Sequence, residues 1–174
     1  KEFITHCEGR HADTQAWYHV VGALHFRCMP PLLDAVLLPL MGYFMLMNLT
    51  VERCYCSHTV QECAAQKRFL AQETLDFCLK YNPLFLARPV WMRIATCMSA
   101  YFFVFGYLLI AVAAARGQWH SLRLPLSLFL GMKIYALGFY HYMEFTSATP
   151  PPDVVPYFGV EGPYLVSIAI VLYR

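Results

Sequence analysis

Charge is the scarcest commodity in this sequence: only 14% of its 174 residues are Asp, Glu, Lys or Arg, where a soluble domain carries about 25%. That deficit, with 59% hydrophobic residues and a mean hydropathy of +0.44, excludes an ordinary soluble domain. A net charge of +2, dispersed along the chain, gives no basic face for nucleic acid. The opening KEFITHCEGRHADTQ is polar and His-rich and carries no signal-peptide pattern, so compartment has to be read from elsewhere. Paired C-x-x-C knuckles are also missing. The seven cysteines are an odd number, and the only tight group is Cys54, Cys56, His58 and Cys63. Its C-x-C spacing is poor for zinc. Free thiols are favoured there over a disulfide such as Cys56–Cys63, and a secreted disulfide framework is not expected.

What the sequence has is long apolar runs. A membrane helix needs about 20 mainly apolar residues, and four stretches qualify: residues 20–51, 90–115, 121–145 and 154–173. The fold class read from this is all-α: a polytopic four-helix membrane bundle over residues 20–174, preceded by a polar segment over residues 1–19. Prolines at 30 and 31 predict a kink in the first span, and Gly162-Pro163 another in the fourth. Between the first two spans lies the one long polar segment, residues 52–89. Within it AAQKRFLAQETLDFCLKY places Phe69, Leu70, Phe77 and Leu79 among charges, as in a short amphipathic helix on the membrane surface. Of the short loops, ARGQWHSLR is basic and TSATPPPD has no cation, which favours both termini on the cytosolic or matrix side.

Ionisable groups inside spans are costly and mark function or pairing. They are Arg27, Asp34, Lys133, His141, Glu144 and Glu161, joined by the polar Ser99. Lys133 lies near the centre of LFLGMKIYALGFYHYMEF, so a buried partner is expected, either Asp34 or Glu161. His141 and Glu144 share a helical face. A di-metal bundle needs further Glu-x-x-His motifs that the sequence lacks, so the pair reads as an interfacial polar cluster beside Tyr140 and Tyr142. Neither a metal nor a cofactor is expected.

The stretches YNPLFLARPVWMRIATCMSAYFF, YLLIAVAAARGQWHSLRLPLSLFLGMKIYALGFY and EGPYLVSIAIVLY, in this order, resemble the EXPERA family of membrane proteins. That family includes the emopamil-binding protein, a sterol Δ8–Δ7 isomerase, and the sigma-2 receptor. The resemblance runs from about residue 20 to 174 and is best across spans two to four. It implies four helices around an apolar, sterol-sized cavity, with carboxylates in spans one and two that serve proton transfer in the isomerases and hold a cationic amine in the ligand-binding members. Against that pattern the span-two carboxylate position, after the CM of TCM, is Ser99. A span-four asparagine is replaced by Pro163, Asp34 falls in the region of the span-one aspartate, and Lys133 brings a cation into a helix that lines the cavity. The acid and base of an isomerase are not assembled, so the chain is not expected to be an enzyme.

The lipid-cavity residues expected from this reading are Asp34, Ser99, Phe102, Lys133, Glu161 and Tyr164. Ser99 and Gly106 are expected to leave a groove beside a wall of Phe102, Phe103 and Phe105. The function expected first is an accessory subunit of a larger membrane complex, of the mitochondrial inner-membrane respiratory type, with other subunits and bound lipid or sterol as partners. Next comes a sterol- or lipid-binding protein of the endoplasmic reticulum similar to the sigma-2 receptor.

Overall fold

The computed structural model of the chain describes residues 32–174, and every regular element among them is a helix. Three helices are long and apolar enough to cross a membrane: α1 (Leu32–Ser57), α5 (Val90–Arg116) and α7 (Val154–Tyr173). Large apolar side chains cover their outer faces, among them Phe105 at 68% exposure and Val155 at 81%. Such continuous apolar surface is stable in lipid and not in water. The chain is an integral membrane protein. A fourth long helix, α6 (Arg123–Thr146), has 24 residues and is less apolar. Three short helices, α2 (Val60–Ala65), α3 (Ala71–Tyr81) and α4 (Pro83–Ala87), fill the segment between α1 and α5.

Local chemistry sets these bounds. Thr59 and Glu62 form a reciprocal capping box that starts α2. Asn82 accepts from the Phe85 amide with Pro83 in the first turn of α4, and Asp153 accepts from the Val155 amide to open α7. Gly117, at φ +65°, ends α5 where a side chain would be strained. The amphipathic helix expected over residues 64–81 is broken: Lys67 and Leu70 take left-handed backbone, so α3 begins only at Ala71. Phe69 and Leu79 remain about 62% exposed, and Phe77 turns inward instead.

The first span differs most from expectation. Residues 20–31, Arg27 and the Pro30–Pro31 kink lie outside the described residues. At its other end α1 does not stop at Val51. It runs through a π-helical turn, Asn48–Glu52, and on to Ser57. A second π-helical turn, Ser99–Phe103, interrupts α5. α1 and α5 pack along their length with these two turns against each other. One apolar core holds Leu37, Met41 and Phe44 of α1, Tyr107, Ile110 and Ala113 of α5, Leu126, Phe129 and Leu130 of α6, and Ile170 and Val171 of α7.

Two disulfides correct the reading of the cysteines as free thiols or a Cys56–Cys63 pair. Cys54 joins Cys63, and Cys56 joins Cys97, leaving Cys78 free among the described cysteines. Cys54 and Cys56 are two residues apart on a helix and point to different sides, so each finds its own partner. Arg88 strengthens the same end of the molecule, donating to the carbonyls of Tyr55 (2.7 Å) and Cys56 (3.1 Å).

Candidate membrane cavity

The two π-helical turns are where the helix pair opens. Widening a turn frees a carbonyl from its usual helical bond and is frequent at functional positions. Asn48 uses that freedom, donating its side-chain amide to the Ser99 carbonyl at 2.8 Å, while the Ser99 hydroxyl reaches back toward Asn48 Oδ1 at 3.4 Å. Beside this junction α1, α5, α6, α7 and α3 enclose a cavity of about 160 Å³.

Each wall contributes distinct chemistry. From α1 come Tyr43, Val51 and Glu52, from α5 Thr96, Ser99 and Phe103, and from α6 Lys133, Leu137 and Tyr140. α7 supplies Glu161 and Tyr164, and α3 closes the space with Phe77 and Cys78. Asn82 donates to the Tyr140 hydroxyl at 3.0 Å and holds that ring at the wall. Burial, aided by the Glu144 and Glu161 carboxylates, pushes the Cys78 thiol up to about 12, so it is a neutral wall group at physiological pH.

Lys133 is the buried centre of the site, only 9% exposed. Its ammonium does not meet a carboxylate within 4 Å; the sole such ion pair among the described residues is Asp34 with Arg174. Three ring faces surround it instead, with Nζ 4.5 Å from the centroid of Tyr164, 5.1 Å from Phe103 and 5.3 Å from Tyr107. A desolvated cation over an aromatic face gains about 2 kcal/mol. Glu52 and Glu161 line the same cavity, and Glu52 Oε2 is buried with no hydrogen-bond partner.

Of the six residues expected to line the cavity, Ser99, Lys133, Glu161 and Tyr164 do so. Asp34 does not. It is 1% exposed at the opposite end of α1, where Arg174 grips both carboxylate oxygens and Trp119 donates from 3.5 Å. The α1 residue that faces Ser99 is Asn48. Phe102 does not line it either: it is 63% exposed on the outer surface of α5. The groove expected beside Gly106 is filled by the Phe129 ring, which a Cβ on Gly106 would meet at 2.2 Å.

Glu52, which the sequence places at the start of the polar segment 52–89, is instead a cavity-lining residue on α1. Its signal was its spacing: four residues after Asn48, it shares that residue's helical face. In the His141–Glu144 cluster His141 is half-buried and Glu144 is buried. Glu144 is fully enclosed with neither oxygen bonded, and His141 Nδ1 shares a 2.9 Å hydrogen bond with the Tyr157 hydroxyl.

Comparison of the chain with protein-family models, with characterised proteins and with solved structures finds no match.

Proposed function

We propose that this chain is a four-span membrane protein with an EXPERA-like bundle, α6 being the additional span, and that its cavity holds the polar end of a sterol or other lipid. The observation that carries the reading is the cavity itself, with Glu52, Lys133 and Glu161 turned into a pocket of otherwise largely aromatic and apolar walls. Charges at that depth are retained where they meet a ligand or one another. An engineered cavity of about 150 Å³ admits benzene, whereas a whole drug-sized ligand needs about 300 Å³ or more. A space of about 160 Å³ therefore takes a ring or head group, with the rest of the molecule lying against lipid-facing side chains. Tyr43, which lines the cavity and is 39% exposed, marks a way out to the surface.

The role is binding rather than catalysis. Ser99 stands where the isomerases carry a carboxylate, and it is engaged with Asn48. Two carboxylates and one ammonium give the cavity both acceptors and a donor for a polar head group. The two disulfides cluster at the end that carries α2, α3 and α4, and disulfides persist in oxidising compartments. The basic loop between α5 and α6 lies at the other end. Together these favour the endoplasmic reticulum, with the disulfide end in the lumen.

The test is gentle extraction followed by native mass measurement and lipid analysis. A chain of 20.0 kDa carrying a retained sterol or phospholipid supports binding. Recovery without lipid, inside an assembly many times that mass, overturns it in favour of an accessory subunit of a mitochondrial-type complex.

A further inference from the structure

Lys133 combines three properties that a purely structural lysine does not need. It is desolvated, at 9% exposure; it faces a cavity; and its ammonium lies over neutral ring faces with no carboxylate within 4 Å. Ring faces stabilise positive charge without occupying the space in front of the nitrogen. A lysine made nucleophilic by an apolar pocket is the usual starting point for imine chemistry. Glu52 and Glu161, in the walls of the same cavity, supply groups that exchange protons.

We propose that Lys133 captures a carbonyl: its ε-amine condenses with an aldehyde or ketone at the polar end of an apolar ligand. This rests on the reading of the cavity as a lipid site and names the ligand's reactive group. The Lys133 ammonium first gives a proton to a cavity carboxylate; the neutral amine's lone pair then attacks the carbonyl carbon, and the C=O π pair moves to oxygen, which takes a proton. Nitrogen loses one proton to a carboxylate, giving a carbinolamine. A carboxylic acid then protonates the hydroxyl, water leaves, and the nitrogen lone pair closes the C=N bond. The net change is amine plus carbonyl plus one proton to protonated imine plus water, with nothing oxidised or reduced. The product cation sits where the ammonium sat, so Phe103, Tyr107 and Tyr164 stabilise both.

Benzaldehyde, a single ring sized for this cavity, is the probe. The full chain in detergent is incubated with it, reduced with borohydride to fix any imine as a benzyl amine, and mapped by peptide mass. Lys67 and Lys80 are exposed and serve as internal references. The expected result is labelling of Lys133 at least about tenfold above either reference, as activation of one buried amine requires. Lys133→Arg keeps a cation in the cage and should remove the cavity adduct, while helical content and the labelling of Lys67 and Lys80 stay as in wild type. Should that variant fail to fold, the wild-type contrast between Lys133 and the two surface lysines still decides. Absence of a Lys133 adduct, or labelling no greater than at Lys67 and Lys80, overturns the proposal. A chain that keeps its lipid yet shows no Lys133 adduct overturns carbonyl capture alone; one with neither overturns lipid binding as well.

Discussion

Asn48 donates to the backbone carbonyl of Ser99 at 2.8 Å, so a side chain in the π-helical turn of α1 satisfies an acceptor in the π-helical turn of α5. The bond is to backbone, which makes the two partners unequal. Asn48→Ala strands the Ser99 carbonyl and should cost about 1–2 kcal/mol. Ser99→Ala removes only the longer hydroxyl contact and should cost about 0.5 kcal/mol or less. Thermal unfolding of both variants in one detergent checks the order.

At the far end of α1, Asp34 is 1% exposed and held by Arg174. Removing one member of a buried pair leaves the other charge stranded, at about 3–5 kcal/mol. Arg174→Leu should therefore be severe, and Asp34→Leu with Arg174→Leu should recover part of the loss. Lys133→Met should not interact with either, because Lys133 and Asp34 are in different clusters. Double-variant thermal shifts that couple Asp34 to Lys133 would contradict the assignment.

Gly106 lets α5 and α6 approach until the Phe129 ring lies over it. That ring is held between Phe103 and Tyr107, with centroids 5.6 Å away on both sides, so it has little room to swing aside. Gly106→Ala should destabilise by about 1–3 kcal/mol, the range for overpacking. Adding Phe129→Leu should restore part of it, which expression level and thermal midpoint together report.

The cysteines give a chemical count. Non-reducing peptide mapping should recover Cys54 with Cys63 and Cys56 with Cys97. The longer closure, spanning 41 residues, is worth about 4 kcal/mol by loop entropy and the shorter one, spanning 9, about 3 kcal/mol. Cys78, pushed up to about 12 by burial, should resist iodoacetamide at pH 8 and react only after unfolding. Because its folded value lies above the ordinary 9.0, the stability it contributes is whole below about pH 9 and is lost as pH rises toward 12.

Spans that begin and end on backbone signals were legible. Pro89 and Gly117 bracket α5, and α7 covers the residues read for the fourth span. The end of α1 was not, because hydropathy reports which residues face lipid, whereas Glu52 stays helical while facing a cavity. Depth alone offers Lys133 either Asp34 or Glu161; of these, Asp34 is engaged elsewhere. Its partner is 140 residues away, at a position whose arginine reads as a surface cation. Lys133 is buried, but its neighbours are aromatic rings, and no spacing rule brings Phe103, Tyr107 and Tyr164 to one nitrogen. The C-x-C pair likewise gave no hint that its members pair separately, one of them across to α5.

The central claim is that the cavity is occupied by the polar end of a lipid. Ala136 lines it, so Ala136→Phe places a ring in a space of about 160 Å³ while leaving Lys133, Glu52 and Glu161 unchanged. Native mass spectrometry of the chain released from lipid nanodiscs compares the two proteins directly. The account predicts one tightly retained lipid-sized mass on the wild-type chain and its loss from the variant, with helical content equal in both. A wild-type chain that leaves the nanodisc bare, or a variant that keeps the same mass as fully as wild type, would contradict it.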